Sequence, residues 1–298
     1  MTRHLLEVDD LTAEELATVL DLAQDPDPEP VLTGKGMALV FEKPSARTRN
    51  SMEMAVVQLG GHPVSVRGDE VGIDRRESAE DVALTLACYH AAVGARVFSH
   101  PVLERMAIVS PVPVVNLLSD EAHPLQALAD LLTLRQAWGG FEGRVLAYVG
   151  DGNNVCRSLA LAGALAGLEV RVGTPPGYGV PDEHADRLKA LGAEAVVSTR
   201  PDEAVDGADA VYTDVWASMG QEGQAGDRRR AFEGFGVDER LMAAAAPGAL
   251  FLHCLPAHRG EEVAAAVVDG PASRVWAQAA NRMHAARGVL LFLLGAAP

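Results

Sequence analysis

The chain has 298 residues, of which 48% are hydrophobic and 22% charged, a composition typical of globular proteins and not of disordered or fibrous ones. Its length suits two domains of about 150 residues each. The formal net charge of -16 excludes binding of nucleic acid or anionic membranes by bulk electrostatics, so any anionic ligand requires a local basic cluster.

Short apolar runs alternate with segments of helical period through the first half of the chain. Strands are predicted at 37–41, 63–66, 93–98 and 113–117. Helices are predicted at 45–59, 78–90 and 124–138. This alternation predicts a parallel sheet with helices on both faces.

The glycine-rich stretch 138–143 indicates a hinge, after which a second series begins. Strands are predicted at 145–149, 169–172, 195–198, 210–215 and 250–255, and a last helix at 281–294. The fold class is therefore predicted as α/β, with two doubly wound parallel-sheet domains and an active-site cleft between them. The predicted domains are 1–137, joined by a C-terminal helix 281–296, and 143–280.

The junction 41–49, between the first strand and the next helix, has the composition of a phosphate site. Ser45, Thr48, Arg47 and Arg49 place two hydroxyls and two guanidiniums on the first helical turn. Backbone amides, the helix dipole and arginine forks all favour a phosphate there. The alternative is that Ser45 is an N-cap and the arginines are solvated.

A second polar junction follows the strand that ends near residue 118. His123 precedes a helix-starting proline, and Gln126 lies one turn later. Histidine is suited to donating a hydrogen bond to a carbonyl oxygen that gains negative charge. The alternative is that His123 only caps the helix.

In the second half, the segment 148–155 follows a strand and opens a helix. Its Gly150-x-Gly152 pair suggests a dinucleotide turn, but Val155 replaces the third glycine of that motif. Asn153 and Asn154 are interpreted either as hydrogen-bonding groups for a substrate or as turn residues.

Two further strand ends carry reactive side chains. Asp214 supplies a carboxylate that can receive an ammonium group. His253 and Cys254 suggest nucleophilic catalysis, but neighbours on a strand point to opposite faces. A covalent cysteine mechanism is therefore disfavoured.

Together these motifs resemble the transcarbamoylase family, and within it the ornithine carbamoyltransferases, from about residue 40 to about residue 294. The phosphate loop has an alanine in place of one hydroxyl residue, and the second junction resembles the family's His-Pro-x-Gln motif. The resemblance implies a carbamoyl phosphate site formed by Ser45, Ala46, Arg47, Thr48, Arg96, His123, Gln126, Cys254, Leu255 and Arg282.

The second half resembles the acceptor domain of the same family. Relatives that use aspartate carry arginines where this chain has none. The resemblance implies an ornithine site formed by Asn154, Asp214, Ser218 and Met219. The stretch 220–230, rich in glycine, glutamine and charge, is predicted to be a closing lid.

The resemblance also implies a mechanism and an assembly. The implied catalytic residues are Arg47, Arg96, His123 and Cys254. Alignment of the two substrates and stabilisation of an oxyanion require neither a cofactor nor a metal. Either Cys254 with Asp214 or the phosphate itself accepts the proton of the ornithine amine. The family implies a homotrimer or an assembly of trimers.

Three other functions stay open. The first is a transcarbamoylase that uses putrescine, an acylated ornithine or aspartate as its acceptor. The second is a catalytically silent binding protein of this fold, and the third is a nicotinamide-dependent dehydrogenase.

Three widely spaced cysteines indicate no disulfide framework and no metal site. Residues 1–10 lack the apolar core of a signal peptide, and the apolar run 288–294 is too short to span a membrane. A cytoplasmic protein is expected.

Overall fold

The computed structural model describes residues 2–217 and 222–295. It contains two compact units, one with residues up to Leu132 and from Ala280 onward, the other from Thr133 to Ala279. The domain limits expected from the sequence stay predictions.

The first unit is built on parallel strands. The strands are β1 (Gly36–Phe41), β2 (His62–Arg67), β3 (Ala92–Arg96) and β4 (Val114–Leu118). The helices are α1 (Ala13–Gln24), α2 (Ala46–Gln58), α3 (Gly68–Val71), α4 (Ala79–Ala87), α5 (His100–Val109) and α6 (Pro124–Trp138), which runs into the second unit. Within the described residues the sheet order is β2-β1-β3-β4. Strand β3 is buried along its whole length, as expected for a sheet covered on both faces.

The second unit repeats this architecture with a wider sheet. The strands are β5 (Val145–Val149), β6 (Glu169–Gly173), β7 (Val196–Ser198), β8 (Ala210–Thr213) and β9 (Leu250–His253). The helices are α7 (Asn154–Ala166), α8 (Asp182–Ala190), α9 (Pro201–Val205), α10 (Ala225–Ala231), α11 (Glu239–Met242), α12 (Ala265–Val268) and α13 (Val275–Leu293), whose later turns belong to the first unit. In the ranges that the structure covers, the sheet order is β7-β6-β5-β8-β9.

Each sheet has a point where the strand order reverses. In the first unit β1 is followed by β2 on one side and β3 on the other, and in the second unit β5 is followed by β6 on one side while β8 lies on the other. Ligands in open parallel sheets bind outside the carboxyl ends of such strand pairs. The β1–β3 pair ends at Phe41 and Arg96, and the β5–β8 pair ends at Val149 and Thr213.

The structure confirms the predicted class and every predicted strand, with shifted ends. Strand β8 stops at Thr213, and Asp214 turns its carboxylate back to accept a hydrogen bond from Val215 N at 2.8 Å. The last helix begins at Val275 and not at 281. Short helices such as α9 have too few turns to show a periodic pattern.

Helix α13 packs closely on α1 at Gly288. A methyl group there would lie 2.5 Å from the Val19 carbonyl oxygen and 2.9 Å from Ala23 Cβ. We expect Gly288→Ala to lower the free energy of unfolding by about 1–3 kcal/mol, because overpacking forces the helices apart. Urea unfolding measures this loss. The matched control is Gly140→Ala, where a methyl group has no neighbour within 4 Å, and an equal loss in the control would contradict the packing argument.

No helix in the described ranges combines the length and the apolar character needed to cross a membrane.

Candidate active site

The loop after β1 forms the start of an anion site in the first unit. Ser45 is the N-cap of α2, and its hydroxyl accepts a hydrogen bond from Thr48 N at 3.3 Å. It also donates to Thr48 Oγ1 at 3.2 Å. The cap orients the first turn of α2, whose free N–H groups favour an anion. Ser45 therefore has the structural role that the sequence left as an alternative, and this role is compatible with binding.

Two buried arginines converge on Thr48 from distant parts of the chain. Arg96, at the end of β3, donates from Nη1 to Thr48 Oγ1 at 3.2 Å. Arg282, from α13, donates from Nη2 to the same oxygen at 2.7 Å. All three residues are less than 10% exposed. The structure thus brings together the predicted loop, the predicted second arginine and the predicted C-terminal arginine.

Arg96 and Arg47 have no acidic partner among the described residues. In the part of the chain that the structure describes, neither Arg96 nor Arg47 forms an ion pair, and Arg96 Nε is buried without a hydrogen-bond acceptor. Burial, together with the charges of Arg282 and Arg47, lowers the pKa of Arg96 to about 10. Unpaired buried cations are costly, and an anion at this point removes that cost.

Arg47 and Arg49 have different surroundings, although the sequence placed both in the cradle. Arg47 is exposed on the first turn of α2, and its positive charge acts on Arg96 and His123. Arg49 is bound to Glu53 in an i, i+4 ion pair at 3.0 Å. Arg47 is therefore the arginine of this turn that remains available to a ligand.

His123 lies immediately before α6 and is buried. Burial, followed by the positive charges of Arg282, Arg96 and Arg47, holds its pKa well below the ordinary value. The imidazole is therefore neutral at physiological pH and can donate a hydrogen bond without adding a charge. Its predicted role beside a carbonyl oxygen stays a prediction.

Gln126 presents a fixed amide. Its Nε2 donates to Asp130 Oδ1 at 2.8 Å, and a carboxylate only accepts, so the orientation of the amide is determined. Within the described ranges its Oε1 is buried and has no hydrogen-bond donor. This oxygen can accept a hydrogen bond from an N–H group of a ligand. Asp130, which orients it, was not identified in the sequence.

We expect inorganic phosphate to raise the melting temperature. Phosphate at about 100 times its dissociation constant stabilises the folded state by about 2.7 kcal/mol, which corresponds to about 5 °C or more. Thermal unfolding with phosphate, compared with sodium chloride at the same ionic strength, measures the shift. An equal shift with chloride would mean that the arginine cluster does not select a phosphate.

In the second unit, Asp214 is a buried carboxylate surrounded by neutral donors. Its Oδ1 accepts from Cys254 Sγ at 2.9 Å and from Val215 N at 2.8 Å, and its Oδ2 accepts from Asn153 Nδ2 at 2.9 Å. No cationic side chain of the described residues pairs with it. A buried carboxylate without a cation is suited to binding an ammonium group.

Asp214 is contacted by Asn153, the neighbour of Asn154, whose predicted role in ornithine binding stays a prediction. Asn153 is the N-cap of α7, and its Oδ1 accepts from Val155 N and Cys156 N at 2.9 and 3.1 Å. This cap leaves its Nδ2 to donate to Asp214. Asn154 is the first residue of α7 and is half-buried. The adjacent pair was recognised in the sequence, but its division of roles was not.

Cys254 and His253 have separate partners, as expected for neighbours at a strand end. His253 Nδ1 accepts from Leu255 N at 2.9 Å, and its Nε2 lies 3.3 Å from Glu262 Oε1. Although burial acts to raise it, hydrogen bonds from His253 and His258 N lower the pKa of Glu262. His253 therefore supports Leu255, whose backbone has a φ of 62°. Both ring nitrogens of His253 are thus engaged with Leu255 and Glu262.

A buried ion pair joins the turn after β5 to α10. Arg228 Nη1 donates to Asp151 Oδ2 at 2.7 Å and to the Trp216 carbonyl at 2.9 Å. Its guanidinium lies 5.2 Å from the centre of the Tyr178 ring. Arg228 thus links the segments that carry Asn153 and Asp214, a contact that the sequence did not reveal.

The remaining predicted residues of the acceptor site are only partly described. Ser218 and Met219 lie outside the described residues. Leu255 follows Cys254 and is half-buried, and Ala46 is exposed on the first turn of α2. Their predicted contacts with substrates stay predictions.

Groups that could hold a metal ion are already engaged with protein partners. The ligand atoms of Asp214, His253 and Cys254 lie within 4.8 Å of one another, but the carboxylate and both ring nitrogens have the contacts given above. In a second group, which includes Glu262 and His258, Glu261 is bound by Arg229 at 2.7 Å. The predicted absence of a metal stays a prediction.

Two family models match the chain. One, the aspartate/ornithine carbamoyltransferase carbamoyl-P binding domain, covers residues 3–136. The other, the aspartate/ornithine carbamoyltransferase Asp/Orn binding domain, covers residues 142–293. The first match covers the sheet that carries the arginine cluster, and the second covers the sheet that carries Asp214.

Full-length relatives carry a more specific name. The ornithine carbamoyltransferase of Acidothermus cellulolyticus is 51% identical, over 100% of this chain and 98% of its own. That of Thermus thermophilus is 50% identical, over 99% of this chain and 97% of its own.

Solved structures agree with these relatives. The ornithine carbamoyltransferase from Thermus thermophilus superposes with a TM-score of 0.90 and 46% identity, over 99% of this chain and 100% of that chain. The enzyme from Pyrococcus furiosus gives 0.93 and 43% identity, over 100% of this chain and 98% of that chain. The family and fold predicted from the motifs are thereby confirmed. The chain belongs to the aspartate/ornithine carbamoyltransferase family, and to the ornithine carbamoyltransferases within it.

Proposed function

We propose that this carbamoyltransferase moves the carbamoyl group of carbamoyl phosphate onto the δ-amine of L-ornithine, forming L-citrulline and phosphate. The observation that carries the proposal is the pair of unmatched charges. Among the described residues, Arg96 and Arg47 of the first unit have no acidic partner, and the buried carboxylate of Asp214 in the second unit has no cationic one. Carbamoyl phosphate supplies the anion, and an amino acid with a free ammonium group supplies the cation.

Carbamoyl phosphate binds on the first unit through its phosphate and its carbamoyl group. Thr48 and its neighbouring arginines surround the phosphate, with Ser45 and the first turn of α2 adding donors. His123 donates to the carbonyl oxygen, and Gln126 Oε1 accepts from the carbamoyl amide. Cys254 and Leu255 are further contacts expected from the family.

Ornithine binds on the second unit. The carboxylate of Asp214 receives an ammonium group, and Asn154, Ser218 and Met219 hold the remaining polar groups of the amino acid. Asn153 supports this arrangement by fixing Asp214 from the cap of α7. The aspartate-using branch of the family requires arginines in this place, and Asp214 would repel a second carboxylate instead.

The reaction proceeds by direct attack of the neutral δ-amine on the carbamoyl carbon. A C–N bond forms, the carbonyl oxygen takes up the electron pair, and His123 and Arg47 stabilise the developing oxyanion. The oxyanion then collapses, the C–O bond to phosphate breaks, and phosphate leaves with the electron pair. The amine proton passes either to the phosphate or to Cys254 Sγ, whose own thiol proton passes to Asp214 Oδ1.

The test is product analysis with different acceptors. Carbamoyl phosphate is offered with ornithine, putrescine, N-acetylornithine and aspartate in separate reactions, and carbamoylated products are quantified. Citrulline formation from ornithine, with little product from the others, is expected. Faster reaction with another amine would identify that amine, and not ornithine, as the acceptor. The absence of product with every amine would refute the enzymatic function.

Arg228→Met removes the contacts that hold the segments carrying Asn153 and Asp214. It is expected to raise the KM for ornithine by about 10-fold, since a displacement of about 1 Å in a substrate-positioning segment lowers enzymatic efficiency by up to about 10²-fold. The KM for carbamoyl phosphate is expected to change little, because the first unit is untouched. Steady-state kinetics with each substrate varied separately measure the split. The matched control is Arg229→Met, since Arg229 is exposed and pairs with Glu261 instead of Asp151. Equal rises in both KM values would argue for general loss of structure.

We also propose a homotrimer, or an assembly of trimers, in the cytoplasm. Large apolar side chains of the first unit are exposed on or just after α2 and α4: Met54, Val57, Leu84 and Tyr89. Exposed apolar patches of this kind are typical of interaction surfaces. Light scattering coupled to size exclusion should give three times the chain mass, or a multiple of it, and the mass of a single chain would refute the trimer.

A further inference from the structure

The turn that carries His123 is closed by one serine. Ser119 N donates to the Ala122 carbonyl at 2.9 Å, and Ser119 Oγ accepts from Ala122 N at 3.2 Å. Ser119 is fully buried. Both backbone polar groups of Ala122, the residue immediately before His123, are therefore bound to Ser119.

His123 is fixed on its other side by α6. Its carbonyl accepts from Gln126 N at 3.0 Å and from Ala127 N at 3.2 Å. The position of the imidazole thus depends on the helix on one side and on the Ser119 turn on the other. A change in the turn moves His123 without removing any atom of it.

The donors around Ser119 determine where its own proton points. Asn116 Nδ2 also approaches Ser119 Oγ, at 3.4 Å, in addition to Ala122 N. A hydroxyl has two acceptor sites and one proton. With N–H donors at the acceptor sites, the proton is directed to His100 Nδ1, which lies 2.7 Å away.

His100 is held in place to accept that proton. It is the first residue of α5, and its backbone N donates to Asp120 Oδ1 at 2.9 Å. His100 is therefore attached to both residues that open the turn, through its backbone at Asp120 and through its ring at Ser119.

We propose that Ser119 and His100 are positioning residues that hold His123 at the carbamoyl carbonyl during the transfer reaction. This inference rests on the proposed function. Ser119 acts through the backbone of Ala122, and His100 acts by accepting the hydroxyl proton of Ser119. Neither residue is expected to touch a substrate.

The expected signature is a loss in kcat with phosphate binding retained. The arginine cluster that binds phosphate includes neither residue, whereas stabilisation of the oxyanion depends on the placement of His123. We expect Ser119→Ala and His100→Leu each to lower kcat by about 10-fold or more, because a displacement near 1 Å costs up to about 10²-fold. The dissociation constant of inorganic phosphate is expected to stay within about twofold of the wild type, since phosphate contacts lie elsewhere.

His100→Gln tests the acceptor role without changing the turn. Its amide oxygen can accept the Ser119 proton, so kcat is expected to recover most of what His100→Leu loses. This pair also covers the case in which Ser119→Ala does not fold. Equal kcat values for His100→Gln and His100→Leu would overturn the assigned role of His100.

Ser110→Ala is the matched control. Ser110 is also buried, accepts from Val112 N and donates to the Val112 carbonyl, but its turn does not carry His123. It is expected to lose stability and keep its kcat. Wild-type kcat in Ser119→Ala, or an equal loss of kcat in Ser110→Ala, would refute the inference while leaving the proposed function intact. Failure of the wild type to form citrulline would refute the proposed function instead.

Discussion

Replacing Arg96 by methionine is expected to lower kcat/KM for carbamoyl phosphate by about 10³-fold, since losing one partner of a buried charge pair costs about 2–5 kcal/mol and about 1.4 kcal/mol is tenfold. Arg96 is buried at the end of β3, and its Nε has no acceptor among the described residues. The free protein is expected to keep or gain stability, because methionine removes an unpaired buried cation. Steady-state kinetics and thermal unfolding measure the two effects.

The control for this substitution is another buried arginine of the same unit. Arg287 donates to the Ala23 carbonyl at 2.9 Å, to the Asp25 carbonyl at 2.6 Å and to Gln58 Oε1 at 3.1 Å. Arg287→Met leaves these acceptors unsatisfied, so it is expected to lower the melting temperature and leave the KM for carbamoyl phosphate unchanged. Unchanged kinetics in Arg96→Met, or a loss of stability equal to that of Arg287→Met, would refute an anion-binding role for Arg96.

The strands could be predicted because parallel strands buried on both faces read as short apolar runs. The run 92–96, for example, is buried throughout. The strand ends do not follow from this pattern, because they depend on contacts that are distant in sequence. Strand β9 ends at His253, and the following residues turn away as Leu255 N binds the His253 ring.

The positions of the two candidate sites could also be inferred from the sequence, because both follow from strand ends. The residues 45–48 and Asp214 each come directly after a strand at which the sheet order reverses. Local chemistry was sufficient here. A hydroxyl cap followed by arginine, or an acid after an apolar strand, can be recognised without knowing what lies nearby.

The partners of these residues could not be predicted. Arg282 donates to Thr48 across 234 positions, and Arg228 donates to Asp151 across 77. No local pattern encodes which of several arginines becomes buried and which, like Arg49, pairs with a neighbour on its own helix. The family resemblance supplied Arg282, but Arg228, Asp130 and Ser119 became evident only from their contacts.

We expect Asp214→Asn to lower kcat/KM for ornithine by about 10³-fold, on the same basis of about 2–5 kcal/mol for one partner of a buried charge pair. The binding of carbamoyl phosphate should be unchanged, as measured by phosphate titration. The substitution also has a structural cost. Asn153 Nδ2 donates to Asp214 in the wild type, and the new amide would direct an N–H group at this donor. The resulting loss of stability must be separated from the effect of the lost charge.

The double variant Asn153→Asp with Asp214→Asn separates these effects. It restores a donor opposite an acceptor and keeps a carboxylate to cap α7, but it moves the charge from one side of the hydrogen bond to the other. If Asp214 binds the ammonium group of ornithine, the double variant should recover stability and remain about 10³-fold impaired in kcat/KM, since recognition depends on the placed charge. Asp209→Asn, which breaks the Arg144 pair in the same unit, should lose stability and keep the wild-type KM for ornithine. Recovery of ornithine kinetics in the double variant would mean that Asp214 serves the fold alone, and the acceptor site would then have to be sought elsewhere on the second unit.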